Sequence, residues 1–374
     1  MNKKRNYRIL LLADINSAHT QKWALSLAAI GIEIGLFSLH KCTTEWMTDN
    51  PNIHILYSPL NESGSSQVSK AQYAFILPDL KEKIKDFKPD IVHAHYASSY
   101  GLLGALSGFH PFILSVWGSD VYDFPRSGFL QKHIFRYNLR KADRICSTSN
   151  TMKGEIQKYT SKEIIVTPFG IDLNVFKPFY AHHVFPDNSI VIGTVKSLEQ
   201  KYGIEYLIDA FVLLQKMAKG YPIKLLIVGK GSLDLELKTK VKDLRIESET
   251  VFTGYIPPAE IPFYHNMLTI SVFPSLSESE SFGVSVVEAM ACEKPVVVSN
   301  IGGLPEVVDD GVTGFIVPPG NAKKLAEAIE KLVKDGQLRI SLGKSGRERV
   351  QKLYDWEKNL FTIVNLYDEV ITKK

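Results

Sequence analysis

Two doubly wound α/β domains joined by a short linker are the fold this sequence predicts. Three observations carry that prediction. Short apolar runs alternate with helical stretches along the whole chain. Most of the runs are continuous rather than alternating, as strands covered on both faces should be. The series breaks once, at residues 176–188 (FKPFYAHHVFPDN), where two prolines and two adjacent histidines leave no clear period. Repeated β-α alternation implies parallel sheets with helices on both sides. A chain of 374 residues has room for two domains of middling size, each burying its own core.

In chain order, the first series of strands is expected at Tyr7–Ala13, Ile32–Ser38, Ile53–Leu56, Ile91–Ala94, Phe112–Trp117 and Ile145–Ser147. The second is expected at Ser189–Val195, Lys224–Val228, Val251–Phe252, Thr269–Phe273, Pro295–Val298 and Phe315–Val317. Ser17–Ile30 and Ile204–Ala218 read as helices between them. In the tail, Trp356, Leu360, Ile363, Val364, Tyr367 and Val370 recur at helical spacing. The expected division is therefore a first Rossmann-like domain over 1–175, a linker over 176–188 and a second such domain over 189–354. A final helix within 355–374 crosses back to the first.

Composition narrows the class. Hydrophobic residues make up 45% and charged residues 22% of the chain, which excludes disorder, collagen and coiled coil. A net charge of +4 gives no reason to expect a nucleic-acid partner. The excess sits in residues 1–175, with 20 Lys/Arg against 15 Asp/Glu, while the remainder has 24 against 25. The first half is thus suited to meet something acidic. Cys42, Cys146 and Cys292 are far apart and form no CxxC, which fits a reducing compartment better than a disulfide framework. The opening MNKKRNYRILLLADINS has a basic start, but its apolar core is too short for a secretion signal and Asp14 follows. Trp23–Leu39 is 17 residues long and holds Glu33 and two glycines, so helix, turn at Gly31 and strand is the better reading than a membrane span. A cytoplasmic protein is expected, one that can also rest on the inner face of the cell membrane.

Ligands of doubly wound sheets bind at the carboxyl ends of strands. Most chemically interesting residues fall there. In PSLSESESFGVSVVEAMACEKPVVVS, residues 274–299, Glu280 and Glu288 are separated by seven residues. A helix starting near Phe282 would aim free N–H groups and a positive dipole end at a phosphate. Glu280 would stand at the mouth, and Glu288, two turns down, could accept hydrogen bonds from a diol. The bland alternative is a capped helix with solvated glutamates.

The whole string resembles the EX7E motif of retaining glycosyltransferases, in particular family 4, which have the GT-B fold of two facing Rossmann-like domains. Other segments match the same pattern. GTVKSLEQKYGIEYLIDAF, 193–211, resembles the basic run that opens the family's second domain. Lys196 stands where the family usually has Arg, and Lys201 where it has Lys. Fixed cations there would stabilise the charge that builds as a nucleoside diphosphate departs, although lysine lacks the bidentate grip of arginine. LLIVGKGSL (225–233), VFTGYIP (251–257) and NIGGLPEVVDDGVTGFIVPPG (300–320) are similar to further family segments, the second placing Gly254 and Tyr255 near the nucleotide base. Gly302 and Gly303 allow a tight turn, and Glu306 reads as structural. VTPFGIDLNVFKP, 166–178, resembles the signature before the linker, with Phe169 in place of the usual Asn and Gly170-Ile171-Asp172 shaping the hinge.

The resemblance implies that the nucleotide-sugar donor meets the second domain and a sugar or lipid-linked acceptor the first. Phe282, Gly283 and Val284 would present backbone donors. Glu280 would hold donor-sugar hydroxyls, Glu288 the ribose, and Lys196 and Lys201 the diphosphate. No cofactor and no metal are expected. On the acceptor side, His93 and His95 share one face of a strand end, and an HxH pair without a third ligand is a poor zinc site. FILSVWGSDVYDF, 112–124, is similar to the family's HGSD strand end, with Trp117 where many members carry His. Asp120 would orient the acceptor, or cap the next helix. Ala18 and His19 fill the first strand-to-helix turn, where many relatives have a glycine pair, and would contact donor phosphates.

Lys132, Arg136 and Arg140 repeat every four residues within GFLQKHIFRYNLRKADR, with Phe129, Ile134, Phe135 and Leu139 on the other side. This reads either as a basic amphipathic helix for anionic lipid or as a solvated charged face. The expected activity is hexosyl or N-acetylhexosaminyl transfer in cell-surface polysaccharide or glycolipid assembly. A nucleotide-sugar epimerase and a non-catalytic sugar-nucleotide or lipid-binding homologue are the alternatives. A dinucleotide-dependent dehydrogenase is disfavoured, because Asp14–Thr20 holds no GxGxxG.

Overall fold

Continuous apolar strands fold here into two separate parallel sheets. The computed structural model describes residues 7–43, 46, 50–59, 70–182 and 184–372. The basic start of the signal-like segment, residues 1–6, lies outside them. By internal contacts the chain divides into two units, one of residues 1–167 with 360–374 and one of residues 168–359.

The first unit holds strands β1 (Arg8–Leu12), β2 (Glu33–Phe37), β3 (Ile53–Tyr57), β4 (Ile91–His95), β5 (Phe112–Val116), β6 (Arg144–Ser147) and β7 (Ile164–Val166), in the sheet order β3-β2-β1-β4-β5-β6-β7. The second holds β8 (Ile190–Val195), β9 (Ile223–Val228), β10 (Thr250–Phe252), β11 (Ile270–Phe273), β12 (Val296–Ser299) and β13 (Gly314–Val317), in the order β10-β9-β8-β11-β12-β13. Every pairing between these strands is parallel. In each sheet the order reverses once, between β1 and β4 and between β8 and β11. Such reversal points are where ligands of this architecture bind.

The burial pattern explains the strands. Ile9–Leu12 are all buried, as are Val191–Val195, so each strand is covered by helices on both faces. The segment Trp23–Leu39 is indeed helix, turn and strand: the helix Ala18–Ala29 ends before Gly31, whose φ of 88° suits glycine, and β2 follows. No helix among the described residues is long and apolar enough to cross a membrane. Strand β7 is not among the expected strands. It is three residues long, bounded by Lys162-Glu163 and Thr167-Pro168, too short to show a period. The described residues of 176–188 form no helix or strand, yet Ala181 and Phe185 are buried with Val191, Val195 and Met267 of the second unit.

The last helix, Trp356–Thr372, begins in the second unit and belongs to the first from Leu360 onward. Within the first unit, its buried Tyr367 hydroxyl lies 2.6 Å from His93 Nδ1, and His93 Nε2 lies 2.8 Å from Ser115 Oγ. Tyr7 donates to Asp368, and Arg144 pairs with Glu369. Burial, and then the neighbouring His95, hold His93 well below the ordinary imidazole range. Burial, and then His19, push His95 down to about 3.

These histidines make stability depend on pH. Both stay neutral in the folded chain below pH 6.5, where the unfolded chain takes up protons. Unfolding then binds protons, so stability falls as pH drops. We expect the free energy of unfolding to decline below about pH 6.5, by up to about 1.4 kcal/mol per pH unit for each histidine. Urea titrations between pH 5 and 8 on the native chain and on His95→Phe measure this. An acid limb of equal slope in both would exclude His95 as a contributor.

Candidate functional site

The loops that leave β8 and β11 stand side by side at the reversal point of the second sheet. The first loop begins with Lys196, the second carries Glu280. Their side chains form an ion pair of 2.7 Å and are 13% and 8% exposed. Ser275 Oγ also reaches Glu280 Oε2 at 3.3 Å. Burial alone would lower the Lys196 pKa. The Glu280 carboxylate, then Tyr202 and Glu288, outweigh it and hold the ammonium above its ordinary value. Lys196 Nζ lies 4.3 Å from the centre of the Tyr202 ring and Lys201 Nζ lies 5.0 Å from it, so one aromatic ring serves two cations. Lys201 itself is exposed.

Close backbone approach fixes these loops. A Cβ on Gly229 would stand 2.0 Å from the Lys196 carbonyl oxygen. A Cβ on Gly303 would stand 2.1 Å from the Ser281 oxygen, and the Gly303 N–H donates to the Glu280 carbonyl at 2.8 Å. Glycine is needed because backbone, not side chain, fills the space.

The helix Val284–Ala291 follows Gly283, whose φ is 87°. The N–H groups of Phe282, Gly283 and Val284 have no carbonyl partner among the described residues. The Phe282 ring is buried edge-on against Phe169 and Tyr354, which anchors this turn. Glu288 lies in the second turn of the helix, 3.2 Å from His265 Nε2. Gly254 accepts from the Gly229 N–H at 3.1 Å, and Tyr255 beside it is exposed. Lys196, Lys201, Glu280 and Glu288 are thus brought together with the free amides on one edge. Tyr202 and His265 belong to the same cluster and were not expected there. Tyr202 sits next to Lys201 in sequence, a signal that is legible with hindsight, whereas nothing local links His265 to Glu288.

At the reversal point of the first sheet stand His95, Trp117 and His19. The Trp117 ring is 4.7 Å from His95 and 5.6 Å from His19, and remains partly exposed. Ala18, the first residue of its helix, is exposed. Asp120 does not face outward. It is fully buried, and its oxygens accept from the N–H groups of Ala97 at 2.7 Å, Gly118 at 2.8 Å and Trp117 at 3.1 Å. Burial raises its pKa against the pull of these bonds. Asp120 thus positions the loops after β4 and β5. Among the described residues no group of three or more His, Cys, Asp or Glu side chains is gathered as for a metal ion.

The basic helix is Phe129–Lys141, with Lys132, Arg136 and Arg140 exposed and Phe135 and Leu139 buried. Phe129 is not on the buried side as expected. It is 80% exposed, with Leu130 at 54%, because both precede the turn that packs on the core.

Comparison with known proteins agrees with the fold. Residues 177–349 fit the family described as Glycosyl transferases group 1, and residues 8–149 that described as Glycosyl transferase 4-like. The chain is related to glycosyltransferases of the GT-B fold. It is 28% identical to the uncharacterized glycosyltransferase MJ1178 of Methanocaldococcus jannaschii, over 75% of this chain and 76% of that one. It is 36% identical to the capsular polysaccharide biosynthesis glycosyltransferase CapM of Staphylococcus aureus, over 53% of this chain and 52% of that one. The solved structure of Anabaena Alr3699/HepE in complex with UDP and glucose superposes with a TM-score of 0.76 at 20% identity, covering 97% of this chain and 100% of that one.

Gly303→Ala is expected to lower stability by about 2 kcal/mol, because the new methyl must displace the Ser281 backbone. Gly154→Ala, where a Cβ meets nothing within 4 Å, should be neutral or mildly stabilising. Thermal melts of the two variants compare them. Equal melting points would mean that the loop under Glu280 is not tightly packed.

Proposed function

We propose that the protein is a retaining glycosyltransferase of family 4 type. It moves a hexosyl or N-acetylhexosaminyl group from a nucleoside diphosphate sugar to an acceptor hydroxyl, in cell-surface polysaccharide or glycolipid assembly. One observation carries the reading: two lysines, two glutamates and the unpartnered amides of Phe282, Gly283 and Val284 share the reversal point of the second sheet. Such a group suits a diphosphate flanked by two polyols. Lys196 and Lys201 take the charge of the departing diphosphate, the amides and helix dipole cradle it, Glu280 holds hydroxyls of the sugar and Glu288 the ribose. Gly254 and Tyr255 lie on the base side. The acceptor belongs to the first unit, near His95 and Trp117, and the reaction uses no divalent ion. UDP in the HepE complex and the capsular role in CapM's name support the donor class and the pathway class.

Lys196 and Glu280 neutralise each other in the free chain. Diphosphate would draw the ammonium away and leave the carboxylate for the sugar. Glu280→Gln keeps shape and one acceptor oxygen but loses the charge. It should cut transfer by about a hundredfold or more while the chain still folds, with a lowered melting point because Lys196 loses its buried partner. Sugar transfer from UDP-, GDP- and ADP-sugars, followed by NMR of the product anomer, measures both rate and stereochemistry. Native activity in the variant, an inverted product, or loss of turnover with chelator would each refute part of this mechanism.

The exposed face of Phe129, Leu130, Lys132, Arg136 and Arg140 fits an anionic membrane, with the apolar pair entering the interface and the cations at head-group level. Charge reversal at the three cations should abolish sedimentation with vesicles containing phosphatidylglycerol and leave the melting point unaltered. Unchanged sedimentation would exclude this face as the contact.

A further inference from the structure

Glu288 is held by a buried residue that no motif announces. His265 lies in the short helix Ile261–Met267 and is fully buried. Its Nε2 is 3.2 Å from Glu288 Oε2, while its Nδ1 has no hydrogen-bond partner among the described residues. A carboxylate oxygen accepts, so Nε2 is the nitrogen that donates in this contact. The base of His265 is itself fixed. Neighbouring Asn266 donates to the carbonyls of Lys177 and Pro262 and accepts from the Phe179 N–H, and Lys294 Nζ donates to the Asn266 carbonyl. The Phe176 ring closes the other side of the imidazole, edge-on at 6.2 Å. His265 therefore cannot follow the glutamate if it turns.

The geometry points to His265 as a positioning residue that locks the Glu288 carboxylate in the orientation that receives a ribose diol, and so sets the preference of this site for ribonucleotides over deoxyribonucleotides. This rests on the donor-binding reading of Glu288 given above. The chemistry is simple. A glutamate on an exposed helix face samples several rotamers, and each hydrogen bond to a mobile acceptor bears an ordering cost. One oxygen is pinned by a fixed N–H, while the Glu288 side chain keeps 17% exposure. A second consequence is electrostatic. Glu288 is one of the charges that hold Lys196 protonated, so its placement also bears on the cation beside Glu280.

The test uses the full chain and a calorimetric titration with UDP, GDP and ADP, each against its 2′,3′-dideoxy counterpart. The native protein should bind the ribonucleotide more tightly than the dideoxy form. His265→Leu, which removes the donor, should weaken the ribonucleotide about tenfold and leave the dideoxy form within about twofold, collapsing the preference. His265→Gln, which can still present an N–H to Glu288, should recover most of it. In turnover the Leu variant should raise KM with little change in kcat, since the diol is held equally before and during transfer. If the Leu variant loses both nucleotides in equal measure, or neither, His265 is a packing residue and the inference is overturned. If none of the three nucleotides binds the native chain, the donor-site reading itself falls, and this inference with it. A Leu variant that fails to fold leaves the decision to Glu288→Gln measured against the same pairs: an undiminished ribose preference there would overturn the claim equally.

Discussion

The buried ion pair between Lys196 and Glu280 is the constraint around which the second unit is arranged. Two charges taken out of water cost several kcal/mol each, and only near-contact geometry and further hydrogen bonds offset that cost. The contact is 2.7 Å, and Ser275 supplies an additional hydroxyl. The pair exists only because β8 and β11 are adjacent in space though far apart in sequence, with their carboxyl ends on the same edge. The glycines follow from the same demand. Gly229 lies against the Lys196 carbonyl and Gly303 against the Glu280–Ser281 backbone, so the two loops can be brought to bonding distance. A side chain at either place would move one charge and leave the other buried and unmatched.

That arrangement also explains which features were legible before the structure was seen. Strands such as Ile190–Val195 and Val296–Ser299 are continuous apolar runs, and their burial on both faces is what makes them continuous. Strand β7 escaped because three residues between charged and proline-containing flanks carry no pattern. The site divides in the same way. Glu280, the turn at Gly283 and Glu288 lie within nine residues, so a local string displays them. His265 meets Glu288 across 23 residues, through packing of one helix on another, and a string cannot show that. The surroundings of Asp120 were hidden for a related reason. An aspartate at a strand end looks the same in sequence whether its carboxylate faces water or is wrapped by three backbone amides. Phe129 shows the converse limit. Helical periodicity assigned it a side, but the helix begins at that residue, and its first turn extends beyond the core it would have covered.

The two sheets present opposite electrostatic characters at equivalent places. At the β8/β11 reversal stand ammonium groups, carboxylates and backbone amides with unspent hydrogens. At the β1/β4 reversal the corresponding side chains are rings: His95, Trp117 and His19 in contact with one another. Burial keeps His93 and His95 uncharged through the physiological range, and the remaining ring hydrogen bonds of His93 are spent on Ser115 and Tyr367. The same topology, used twice in one chain, thus carries charged groups at one reversal point and aromatic rings at the other. The difference is carried by a handful of side chains at strand ends, while the sheets beneath them are alike.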